Sequence, residues 1–166
     1  MTTDLRVPAT YLDTADDAEL AWRAIERVYN AVSSSDDTHA LRSLAPGQRA
    51  LFALHCCVAE VSNGGFDQFL TNSSRSLADE AVLGFERIGA VASAAVLRGA
   101  LGVFATRPPY ADRSDPDFDE ADEAEAFDAY RARHEPLEER FYELTESELY
   151  PRGAAYVRAH LREFAS

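Results

Sequence analysis

The 166-residue chain is predicted to fold as an all-α, single compact helical domain of about seven helices. Three observations carry this expectation. Apolar residues recur at three- and four-residue steps along most of the chain, the period of a helix with one buried face. No segment sustains apolar alternation, and no Asn-Gly or Asp-Gly joins two strand-like runs. Polar or Gly/Pro-rich breaks separate the periodic segments by short connections, as in a helical bundle. A domain of this length buries roughly two-thirds of the surface its unfolded chain exposes, so it needs neither disulfides nor metal to fold.

Residues 1–12 contain Pro8 and no period, and read as an extended N-terminal arm; residues 13–166 form the helical domain. From Asp13 the steps Ala18, Trp22, Ile25, Tyr29 and Val32 mark a first helix, with acids in its opening turns where the helix dipole favours them. Ser33 to Asp37 reads as a polar loop. Pro46 suits the first turn of the next helix, striped by Leu51, Leu54, His55, Val58 and Val61. Asn63-Gly64-Gly65 should end it, since Gly and Asn accept the left-handed conformation of a helix C-terminus. Phe66, Phe69 and Leu70 then share one side of a short segment. Ser76, with Asp79 three residues on, is expected to cap a helix carrying Leu77, Ala81, Phe85 and Ile88, ended by Gly89. Val91 to Phe104 reads as another helix. Arg107-Pro108-Pro109-Tyr110 breaks the chain, and a helix through Ala124, Phe127 and Tyr130 follows. Glu135-Pro136 is expected to start a new helix over 137–144, and Pro151 the last, with His160, Leu161 and Phe164 inside.

Charge excludes some functions. The formal net charge is −13, from 29 acids against 16 bases, and every base is arginine. Nucleic acid and anionic membranes would repel such a chain, so its natural partners are basic proteins. The adjacent Cys56 and Cys57 give no disulfide framework, which suits a reducing cytoplasm. The first residues lack the apolar core of a signal peptide, and no run reaches the 18 apolar residues of a spanning helix. A cytoplasmic protein without membrane contact is expected.

No motif amounts to catalytic machinery, so a binding role is favoured over an enzyme. None of His39, His55, His134 and His160 has Glu three residues before it, and no zinc helix or Cys-x-x-Cys occurs. Asp115-Pro116-Asp117-Phe118-Asp119 opens like a calcium loop. Its sixth and twelfth positions, which need Gly and Glu, hold Glu120 and Ala126. His55 beside Cys56 and Cys57 cannot form a thiol–imidazole pair, because consecutive helix residues splay apart. No cofactor is expected.

The informative feature is where the acids lie. Between Asp112 and Glu148 there are fifteen acids and four arginines, −11 of the total −13. Asp115, Asp117, Asp119, Glu120, Asp122, Glu123 and Glu125 place seven carboxylates in eleven residues. As a helix this stretch is about 16 Å long. It then carries one charge per roughly 2.4 Å, against one per ~1.7 Å of duplex DNA. Two readings stand: a solvated face that keeps the protein soluble, or a surface that imitates nucleic acid for a basic partner.

A local pattern bears on the choice. Glu60-Val61-Ser62-Asn63-Gly64-Gly65-Phe66-Asp67-Gln68-Phe69-Leu70-Thr71-Asn72-Ser73-Ser74 resembles the E-V-x-N-G-G-F-x-Q-F-x-x-N-S-S signature of the DNA-mimic protein family. Leu137 to Leu144 is similar to that family's later Leu-Asp-x-x-Phe-Tyr element, and Ile88-Gly89-Ala90 to its Ile-Gly-Ala turn. The resemblance implies an all-helical fold, a homodimer, and an acidic surface that sequesters a basic, DNA-binding transcriptional regulator. Arg75, where the family has Gly, and Leu70, where it has Phe, depart from the signature. The motif residues Glu60, Asn63, Gly64, Gly65, Phe66, Gln68, Phe69 and Asn72 have a structural reading too. The glycines turn the chain, the rings enter the core, and the polar side chains bond the backbone groups left free. The alternative is a pocket of an enzyme or small-ligand protein lined by Glu60, Asn63, Gln68 and Asn72. A helical module regulating a neighbouring gene product is a third reading.

Overall fold

A computed structural model describes residues 7–33, 38–109, 114 and 118–164. Among them are eight α-helices, one 3-10 turn and no strand. The elements are α1 (Ala9–Thr14), α2 (Asp17–Ser33), α3 (Thr38–Ser43), α4 (Pro46–Thr71), the 3-10 turn Ser73–Leu77, α5 (Ala78–Arg87), α6 (Val91–Phe104), α7 (Glu120–Ala159) and α8 (Leu161–Phe164). The all-α expectation holds. No described helix is long and apolar enough to cross a membrane.

α4 is the central element, packed against α2, α5, α6, α7 and α8. Its buried residues include Leu51, Leu54, Cys57, Val61, Phe66, Phe69 and Leu70. Phe141 of α7 sits edge-on to Phe66 and Phe85, with ring centroids 5.1 and 5.7 Å away. At the start of α4, Gln48 accepts from the Ala45 amide and Glu163 of α8 accepts from the Gly47 amide. These side chains satisfy donors that a helix N-terminus leaves open. Ser93 of α6 donates to Glu148 of α7 at 2.8 Å.

Several boundaries differ from expectation. The arm over 1–12 is described from Val7 only, and from Ala9 it is helical, because Pro8 supplies a helix-compatible φ of −55° ahead of α1. α2 starts at Asp17, where the Asp16 carboxylate accepts from the Glu19 amide as a cap. Its buried face is Leu20, Ala21, Ala24, Ile25 and Val28; Trp22 and Tyr29 are exposed by 40% and 45%. α3 is too short to show a period. Of the polar loop at 33–37, residues 34–37 lie outside the described residues, as does Tyr110 of the later breaker. α4 does not end at Gly64-Gly65 but breaks there and resumes at Phe66. Ser76 does not cap α5; its hydroxyl donates to the Ser73 carbonyl inside the 3-10 turn.

The largest correction concerns α7. The three helices expected beyond the acidic stretch are one 40-residue helix, with Pro136 and Pro151 inside it, followed by α8. Each proline removes an N–H bond to the carbonyl four residues before, a loss of about 3 kcal/mol with the ring clash. Those carbonyls belong to Ala132 and Ser147, both on exposed residues, where water can serve them. The apolar face Phe127, Tyr130, His134, Phe141, Leu144, Leu149, Tyr156 and Val157 runs on through both prolines and is buried. Tertiary packing of that face outweighs the local breaks.

Candidate functional site

Gly65 adopts φ +75°, the left-handed region where a side chain is strained, whereas Gly64 at φ −162° is merely extended. The break interrupts the α4 ladder, and α7 supplies the replacements. Glu138 accepts from the Phe66 amide at 2.7 Å, and the Tyr142 hydroxyl donates to the Val61 carbonyl at 2.8 Å. A Cβ on Gly65 would fall on the Glu138 carboxylate, and one on Gly64 on the Gln68 carboxamide. Phe66 and Phe69 are fully buried.

The polar motif residues bond one another rather than the free backbone. Gln68 and Asn72 donate to one oxygen of Glu60 at 2.9 and 3.0 Å, and Ser74 donates to the other at 3.1 Å. The hydrogen bond from Gln68, opposed by burial and reinforced by weaker bonds from Asn72 and Ser74, holds the Glu60 carboxyl below its ordinary range. Asn63 is exposed beside them. Glu60, Gln68 and Asn72 thus converge, and Asn63 contributes to a cleft at the same place.

The same segment anchors the start of α7. Asp67 accepts from Arg107 at 2.9 Å and from the Tyr130 hydroxyl at 2.8 Å. Burial raises the Asp67 carboxyl, but the bonds from Arg107 and Tyr130 and the arginine charge outweigh it, and the net shift is down. The Arg107 guanidinium lies 5.1 Å from the Phe127 ring centre. His134, one turn beyond Tyr130, is 3% exposed, and both its ring nitrogens lack a hydrogen-bond partner among the described residues. Its ring meets Tyr130 and Phe66 at 4.8 and 6.1 Å.

Of the acidic candidates, Asp115 and Asp117 lie outside the described residues. Asp119 caps α7, accepting from the Ala121 amide at 2.7 Å. Glu120, Asp122 and Glu125 are exposed, and no ion pair engages them among the described residues; Glu123 is half-buried. Phe127 is the first buried residue of α7, so two turns of acidic helix precede its attachment to the body. Further along, arginines neutralise carboxylates in the pairs Arg131–Asp128, Arg140–Glu143 and Arg152–Glu148. Among the described residues no three His, Cys, Asp or Glu side chains gather as metal ligands.

Sequence reasoning missed Asp67, Arg107, Tyr130, His134 and Glu138 as a connected group. Asp67 and Glu138 do sit inside the two motif blocks, but nothing in one sequence pairs residues 40 to 72 positions apart. A family model described as DMP19-like protein matches residues 42–160. No curated protein and no solved structure matches the chain.

Proposed function

We propose, from the premise that this chain belongs to the DMP19-like protein family, that it is an acidic binding protein that imitates DNA and sequesters a basic DNA-binding regulator. The observation that carries this reading is the bare acidic start of α7. Glu120, Asp122 and Glu125 stand close together, exposed and without an ion pair among the described residues, whereas further along the helix Asp128, Glu143 and Glu148 have arginine partners and Glu135, Glu139 and Glu146 stay exposed and spread out. Arg and Lys side chains of a DNA-binding face would meet these carboxylates as they meet phosphates, through charge-assisted hydrogen bonds. The buried anchors Phe127 and Tyr130 and the Asp67–Arg107 bridge hold the helix in place for that contact. Whether the regulator acts on transcription belongs to the same proposal.

The test compares the chain with a triple variant, Glu120→Gln, Asp122→Asn and Glu125→Gln, each immobilised and exposed to native lysate at low salt. The wild-type chain should capture a basic DNA-binding protein that elutes as salt rises, because screening shortens the reach of exposed charge. The variant should stay helical and lose that capture. Equal capture by the folded variant would overturn the assignment of the α7 end.

A further inference from the structure

Beside the break in α4 lies a cleft of about 370 Å³ that the imitation of DNA does not use. α4 contributes His55, Cys56, Glu60 and Asn63, α2 contributes Tyr29, and the 3-10 turn contributes Ser74. Among the described residues, Glu60 is the one acidic or arginine side chain in this lining. Three neutral donors, Gln68, Asn72 and Ser74, fix its orientation, and no cation pairs with it among the described residues. A carboxylate oxygen accepts about two hydrogen bonds, so the oxygen held by Ser74 alone has capacity left.

The rest of the lining is neutral near pH 7. Burial lowers the His55 imidazole, and burial with the nearby Glu60 charge pushes the Cys56 thiol up to about 11. Aromatic rings stand around His55: Tyr29 meets it edge-on at 5.7 Å and Trp22 at 5.4 Å, and both side chains are partly exposed to solvent. One fixed negative charge and the Tyr29 ring lining the same cleft supply the chemistry of organic-cation recognition, which combines a charge-assisted bond with attraction to a ring face. A calcium ion, needing six to eight oxygens, finds too few here.

We propose that this cleft binds a guanidinium or alkylammonium group, with Glu60 as counter-ion and Tyr29 as the aromatic wall. The cation is either a free small molecule or a side chain presented by a protein; the recognising chemistry is the same. The site does not rest on the α7 reading, since none of its residues lies on α7.

Trp22 is the single tryptophan of the chain and touches His55, so its emission reports on the cleft. The probes are N-acetylarginine amide, its lysine and leucine counterparts, and a blocked Ala-Arg-Ala peptide. The cationic probes should change Trp22 emission saturably and the leucine probe should not. Glu60→Gln should weaken binding by about tenfold, as expected when a charge-assisted bond is lost. Tyr29→Leu, which leaves the Glu60 bonds intact, should weaken it severalfold, with folding checked by circular dichroism. An amide that binds as well as the peptide assigns the site to a free molecule, and a markedly tighter peptide assigns it to a protein side chain. An equal response to leucine, or unchanged affinity in both folded variants, overturns the proposal. The triple α7 variant should bind these probes as the wild-type chain does, so the two proposals fail separately.

Discussion

Gly65 is the residue on which the centre of the molecule turns, because its positive φ lets α4 break while Phe66 stays buried. Gly65→Ala places a side chain in a strained conformation and against Glu138, the acceptor for the Phe66 amide. The expected loss is about 2–3 kcal/mol. In a domain of this size that lowers the melting temperature by roughly 5–10 °C. An unchanged melt would show that Glu138 and the glycine do not act together. His134 gives a second prediction. Burial holds its imidazole below the ordinary value near 6.5, with Arg133 acting in the same direction and Glu138 and Asp67 opposing. The folded chain therefore takes up this proton less readily than the unfolded chain does. Stability is full above about pH 6.5 and falls as pH drops through the window below it. Half-buried His55 contributes with the same sign, so His134→Leu should flatten part of the dependence of melting temperature on pH between about 6.5 and 5. A steepened dependence would contradict this account.

At the scale of the element, α7 shows where two sequence signals conflict. Pro136 and Pro151 signal helix starts, whereas the spacing of Phe127, Tyr130, His134, Phe141 and Leu144 signals one continuous face. The face prevails because the prolines sit on the exposed side. Pro136→Ala restores an N–H and removes a clash, and should raise the melting temperature by several degrees; thermal denaturation checks it, and a lowered melt would mean the proline stabilises a local bend. α2 was ambiguous for a different reason. Two stripes at helical steps share Ile25, one with the large rings Trp22 and Tyr29 and one with the small Ala21 and Ala24. The small residues face inward because they allow close approach: Ala21 lies near Gly153 of α7. The rings are left to pack at the rim around His55. Helix existence was thus legible throughout α2, α4, α5 and α6, while face and boundary depended on neighbours far along the chain. The same holds for the site. Gly64-Gly65 and Phe66 announce a break in the sequence, but its partners Glu138 and Tyr142 lie more than 70 residues away.

The whole molecule separates charge from packing. α7 carries eleven acids against five arginines, yet it also supplies Phe127, Phe141 and Tyr156 to the buried interior. One helix is therefore both a structural strut and the bearer of the acidic surface, and at its start the unpaired carboxylates lie closest together. The charge asymmetry was readable from composition alone; which carboxylates stay bare required the positions of Arg131, Arg140 and Arg152. In the proposed function this surface takes the place of DNA on its partner. The most direct measurement adds duplex DNA to the protein captured by this chain at low salt. Duplex DNA should release the captured protein in proportion to its concentration, since both would occupy one basic face. A captured protein that holds duplex DNA and this chain at the same time would contradict it.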